Sequence, residues 1–122
     1  MSGHRWLSFL LVAALVALAG QSRAQSAEQY VVIYVEFLPQ EANHGKKLVD
    51  DLATRSLSSA GVINFSSLRE NDRPNRFALV ERWRSAQAYQ AYKASSTWTT
   101  FVSQAQPILG APLDERDGVL LQ

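Results

Sequence analysis

Glu81 and Trp83 are the residues of this 122-residue chain best placed to do chemistry. They stand two apart at the end of NRFALVERW, an apolar run that reads as a strand. Side chains two apart on a strand project from one face, and Phe77 and Leu79 share that parity. If the face is covered, a carboxylate and an indole meet in a dry space. Burial there disfavours the ionised carboxylate and raises its pKa toward neutrality, where it can take a proton from a weak acid. The plainer alternative pairs Glu81 with Arg76 or Arg82 and makes Trp83 a core ring, since structural ion pairs also shift carboxylates.

Other reactive groups are few. The chain has no cysteine, which excludes disulfides, thiolate metal sites and a cysteine nucleophile. Its two histidines are His4 and His44. His44, beside Gly45-Lys46-Lys47, reads as solvated, and no Ser-His-Asp set can be assembled. Asn71-Asp72-Arg73 is a turn without calcium-ligand spacing. Asn64-Phe65-Ser66 matches a glycosylation acceptor but falls within a strand pattern. The formal charge is +1 and the cations are scattered, so no stripe for nucleic acid is present.

The elements that must position Glu81 and Trp83 follow from periodicity. Tyr30 to Leu38 is a β-branched and aromatic strand, with Val31, Ile33, Val35 and Phe37 on one face and Val32, Tyr34 and Leu38 on the other. Glu41 to about Ser59 reads as a helix with Leu48, Leu52 and Leu57 on its apolar side, closed by Ala60-Gly61. Val62 to Arg69 is a second strand, and Glu70 to Asn75 a polar turn. The Phe77 to Val80 strand closes on Glu81-Arg82-Trp83. Ser85 then caps a helix with Ala88, Ala91, Tyr92, Ala94, Trp98, Phe101 and Val102 on one face. Trp98 and Phe101 read as core. After Pro107, Gly110 and Pro112, the run Gly118 to Leu121 forms a short last strand. The order β-α-β-β-α-β is the ferredoxin-like arrangement, an α+β class. Two helices cover one sheet face and leave the other in need of a partner.

Residues 1–24 read as a secretory signal peptide. His4 and Arg5 precede the apolar run Trp6 to Ala19, and Ser22-Arg23-Ala24 fits small-x-small cleavage. The run is shorter than the roughly 20 residues of a spanning helix. A cleaved, secreted or periplasmic protein of residues 25–122, free of the membrane, is expected. A domain of that size buries only about 60 % of its unfolded surface, which adds to the case for a partner.

Arg76-Phe77, Glu81-x-Trp83 and Ser85-x-x-Ala88, set between a polar hairpin and a helix, resemble the antibiotic biosynthesis monooxygenase domain family. The resemblance spans about Tyr30 to Leu121. It implies a ferredoxin-like chain that pairs sheet to sheet as a homodimeric α/β barrel. Some members oxidise quinols or polycyclic phenols with molecular oxygen and no metal or flavin. On that likeness, Trp83 and Glu81 are the candidate catalytic residues, with Glu81 taking a phenolic proton. Tyr92, Phe77, Leu79 and Ile33 are candidate binding residues for a small aromatic substrate, and no cofactor or metal is implied.

The departures from the family pattern are informative. Quinol-type members often carry two histidines on the second helix, and those places fall at Tyr92 and Thr97. The haem-degrading branch needs an axial histidine there and an asparagine in the first strand, where Ile33 stands. Haem breakdown by the family's usual means is therefore not expected, and Tyr92 would be an unusual haem ligand. The alternative function is a non-catalytic binder or sensor of a small aromatic ligand on the same barrel.

Overall fold

The computed structural model describes residues 27–122, so the expected signal peptide lies outside the described residues. Four strands form one antiparallel sheet: β1 (Gln29–Glu36), β2 (Val62–Arg69), β3 (Arg76–Trp83) and β4 (Asp114–Gly118). Their spatial order is β2-β3-β1-β4. Three helices, α1 (Ala42–Ser56), α2 (Ala86–Lys93) and α3 (Ser96–Ala105), complete a ferredoxin-like α+β fold.

Alternation along the central strands sets the layers. Val31, Ile33 and Val35 of β1 and Phe77, Leu79, Glu81 and Trp83 of β3 are buried beneath the helices. Val49 and Leu52 of α1, Tyr89 and Tyr92 of α2, and Trp98, Phe101 and Ala105 of α3 close that core. The opposite parity makes a second surface of Val32, Tyr34, Leu68, Ala78 and Val80, which the register sets side by side. Tyr34 is 47 % and Leu68 58 % exposed there. The apolar runs expected to be covered on both faces are thus covered on one within a single chain.

Several boundaries differ from the sequence reading, each for a local reason. β1 ends at Glu36, because Phe37 leaves the ladder for a single bridge to Leu109 and donates its N–H to Asn75 O at 2.9 Å. The Phe37 ring then packs against Gly45: a Cβ built there would lie 2.2 Å from the ring. Gly45, which on propensity only weakens a helix, is required by close approach. α1 stops at Ser56, and Leu57, expected on its apolar side, caps the helix and is exposed. Gly61 adopts φ +80° and faces Ala88. It immediately precedes β2, whose register shifts between Val62 and Asn64.

The second helix is two. Ser85 Oγ accepts from Ala88 N at 3.1 Å, as expected of an N-cap. Ser95 then ends α2 by donating both its hydroxyl and its N–H to Tyr92 O, at 2.6 and 2.9 Å. A side chain that bonds the local backbone in this way competes with helix continuation. The last strand is Asp114–Gly118, not Gly118 to Leu121. Backbone pairing to β1 recruits the charged segment, and Val119, Leu120 and Leu121 follow it exposed.

Candidate active site

β3 aims Glu81 and Trp83 at the same interior, as their parity requires. Glu81 is 1 % and Trp83 0 % exposed, so the indole is sealed inside rather than standing at a pocket mouth. Trp83 Nε1 donates to Glu81 Oε1 at 2.9 Å. Glu81 Oε2 is buried with no hydrogen-bond partner among the described residues. The two arginines expected as alternative partners are engaged elsewhere: Arg76 with Glu36 at 2.6 Å and Glu70 at 3.6 Å, and Arg82 with Glu28 at 2.7 Å. Among the described residues no ion pair therefore neutralises Glu81. Burial pushes its pKa up to about 7, against a smaller lowering by the Trp83 hydrogen bond. A buried polar atom left unpaired costs free energy, and such exceptions cluster at working sites.

An aromatic stack surrounds the pair. The Trp83 and Tyr92 rings lie 4.6 Å apart at 33°, and Tyr89 sits 5.9 Å from Trp83. The Tyr92 hydroxyl is bonded to Ser56 Oγ at 2.8 Å, and burial raises its pKa. On the other side Tyr89 donates to the Glu115 carboxylate, to which Lys93 is also paired. Burial pushes the Tyr89 phenol far up, and the Glu115 bond adds to this. At Glu115 burial acts upward, but the bonds from Lys93 and Tyr89 outweigh it and hold the carboxyl below its ordinary range. The Lys93 ammonium lies 4.8 Å from the Trp98 ring centroid.

Of the residues singled out in the sequence, the fold brings Glu81, Trp83 and Tyr92 together. Ile33 and Leu79 pair across β1 and β3 at 0 % exposure and form the floor of the core, with no surface open to a ligand in the single chain. Phe77 is separated from Trp83 by six strand positions, roughly 20 Å at the usual rise. It packs edge-on against Phe37 with ring centroids 5.8 Å apart, so it does not join the site. His44 is remote as well, exposed and 3.3 Å from Glu41.

Sequence reasoning missed Ser56, Tyr89, Lys93 and Glu115. Tyr89 precedes Tyr92 by one helical step, so its spacing was legible. Glu115 gave no signal, because it lies in a charged segment whose pairing only the sheet register decides. Among the described residues no group of three histidine, aspartate or glutamate side chains converges as metal ligands would.

A groove of about 350 Å³ opens outside the stack, lined by Arg55, Ser58, Ser59, Tyr92, Ser95 and Thr97. Tyr92 and Thr97 thus share one cavity. Tyr92 lines it, and the same ring lies 4.6 Å from that of Trp83.

The fold is that of a ferredoxin-like domain whose helices bury a carboxylate–indole pair. The sequence pattern of the antibiotic biosynthesis monooxygenase family matches residues 29–104, and the chain belongs to that family. Solved structures agree on the fold. A candidate antibiotic biosynthesis monooxygenase from Nitrosomonas europaea superposes with a TM-score of 0.73 at 18 % identity, over 80 % of this chain and 93 % of that one. Rv0793 from Mycobacterium tuberculosis gives 0.74 at 19 %, over 79 % and 97 %. A Caulobacter crescentus protein of the same description gives 0.72 at 14 %, over 80 % and 93 %. No curated protein matches the sequence.

Proposed function

We propose that this protein is an exported, homodimeric monooxygenase that oxidises a quinol or polycyclic phenol with molecular oxygen. Family membership supports a monooxygenase-like or ligand-binding role in general terms. One observation carries the finer reading: the buried, half-partnered carboxylate of Glu81, poised to change protonation near pH 7. In this scheme Glu81 takes the phenolic proton and leaves an electron-rich phenolate that reduces oxygen. One oxygen atom replaces a ring hydrogen, as a new carbonyl on a phenol or a hydroxyl on a quinol, and the other leaves as water. The substrate supplies all four electrons and becomes a quinone. Trp83 orients the carboxylate, and Tyr92 presents its ring to the incoming substrate.

The sealing of Glu81 and Trp83 favours a second reading, a non-catalytic binder of a small aromatic. Oxygen uptake with a panel of hydroquinones separates the two. Turnover that falls at least a hundredfold in Glu81→Gln supports the enzyme, in line with general-base contributions of about 10²–10⁴. No uptake with any quinol, together with saturable tryptophan quenching by one of them, supports the binder.

Support for the homodimer comes from the open apolar face around Val32, Tyr34, Leu68 and Val80, which a second copy would cover. Light scattering on residues 25–122 should return twice the chain mass, and Leu68→Glu should return the chain mass. A monomer at micromolar concentration in the unmodified protein would count against the barrel. Export rests on residues 1–24 and is read from the mature N-terminus: mass spectrometry of protein recovered outside the cytoplasm should find Gln25 first.

A further inference from the structure

The groove beside Tyr92 is lined by one guanidinium, four hydroxyls and apolar surface. Arg55 engages Asp51 through Nε alone, at 3.0 Å from Oδ2, which leaves both terminal guanidinium nitrogens without a partner among the described residues. The hydroxyls of Ser58, Ser59 and Thr97 make no hydrogen bond to described residues either, whereas Ser95 already spends its proton on Tyr92 O. No carboxylate lines the cavity. The lining also includes the methyls of Ala60 and Ala91 and the Tyr92 ring. Because the Tyr92 hydroxyl is committed to Ser56, a ligand meets the ring and not the phenol.

A guanidinium with two free nitrogens, in a lining without carboxylates, favours an anion and matches a carboxylate in bidentate fashion, and the hydroxyls, which donate as readily as they accept, can complete its shell. Methyls and an aromatic ring select a flat apolar body. A volume of about 350 Å³ sits at the small end of ligand cavities, which run from about 300 to 1,000 Å³. We infer that this groove binds an aromatic carboxylate of one or two rings carrying a phenolic hydroxyl, its carboxylate on Arg55 and its ring against Tyr92. The inference rests on the phenolic-substrate reading above and narrows it from neutral quinols to phenolic acids.

The test is calorimetric titration of the protein with 4-hydroxybenzoate, hydroquinone and inorganic phosphate. The acid is expected to bind at least tenfold tighter than hydroquinone, and phosphate weaker than both. Arg55→Gln should reduce the acid's advantage to within about twofold, and Arg55→Lys, which keeps the charge but loses the planar fork, should retain only part of it. Thr97→Val, which keeps the shape and removes one donor, should weaken the acid several-fold. Arg55 is largely exposed, so thermal melts of its variants should match the parent and exclude misfolding. Equal binding of acid and hydroquinone, an Arg55→Gln variant with the preference intact, or no saturable binding at all would overturn the inference. Phosphate as tight as the acid would reduce the groove to a simple anion site and overturn it too. Oxygen uptake run in parallel keeps the two readings apart. Quinol oxidation with no acid preference sinks the groove alone, and acid preference without oxidation of any phenol sinks the reaction alone.

Discussion

Trp83 Nε1 donates to Glu81 Oε1 at 2.9 Å, across two positions of one strand, and the other oxygen of the same carboxylate has no partner among the described residues. The indole therefore fixes the orientation of the group without neutralising it. Burial decides the electrostatics: desolvation outweighs the Trp83 bond, and the pKa rises to about 7.

That rise makes folding depend on pH. The folded chain holds the Glu81 proton more tightly than the unfolded chain, whose carboxyl keeps its ordinary value of 4.5. Stability from this group is greatest below pH 4.5, declines as pH climbs to about 7, and is level above. The total is on the order of 3 kcal/mol at about 1.4 kcal/mol per pKa unit. Urea denaturation at fixed protein concentration should show the decline, and Glu81→Gln should flatten that part of it. An unchanged pH slope in the variant would assign the dependence to other groups.

The Trp83 bond favours the ionised carboxylate, so its removal should move the titration upward. With a turnover substrate in hand, kcat/KM of the parent should rise with pH and level off above about 7. Trp83→Phe should shift that midpoint to higher pH. It also leaves Oε1 without its donor, a loss of roughly 1–3 kcal/mol in stability. A midpoint that stays in place would remove Trp83 from any part in tuning Glu81.

Tyr92 and Ser56 hold each other across the core at 2.8 Å. Tyr92→Phe leaves the fully buried Ser56 hydroxyl unpaired and should cost about 1–3 kcal/mol. Adding Ser56→Ala removes the orphan and should recover about half of that loss. Thermal unfolding of the two single variants and the double variant gives the coupling directly, and strict additivity would show that the bond contributes nothing.

Gly45→Ala tests a packing constraint. Alanine is the better helix former by about 1 kcal/mol, yet its methyl would sit 2.2 Å from Phe37 Cδ2. Overpacking of this kind costs about 1–3 kcal/mol, so the melting temperature should fall despite the propensity gain. Phe37→Leu in the same chain should recover part of the loss. A melting temperature above the parent's would mean that the ring yields freely.

Much of this was legible before the structure. Parity alone put Glu81 and Trp83 on one face, because strand geometry is local. The Ser85 cap followed from backbone chemistry confined to a few residues, whereas the first helix ends at Ser56, ahead of the Gly61 expected to close it. The likeness of Arg76-Phe77, Glu81-x-Trp83 and Ser85-x-x-Ala88 to a family was sufficient to name it. The break at Ser95 was not legible, since either a continued helix or a hydroxyl bond to Tyr92 O satisfies the same residues. Nor was the place of Phe77: its parity matches Glu81, but its distance along the strand puts it beside Phe37.

By itself the sequence determined which residues face inward, the order of the strands and helices, and the absence of thiol chemistry and of histidine from the second helix. Those follow from side-chain types and from periods of two and 3.6 residues. Only the tertiary structure decided that Arg76 and Arg82 turn to Glu36, Glu70 and Glu28, that Glu81 keeps an unpartnered oxygen, and that Tyr89, Lys93 and Glu115 gather beside it. The reason is physical. A carboxylate's charge state depends on what is excluded from around it, and that exclusion comes from elements far apart in the chain that meet only when the sheet and helices close.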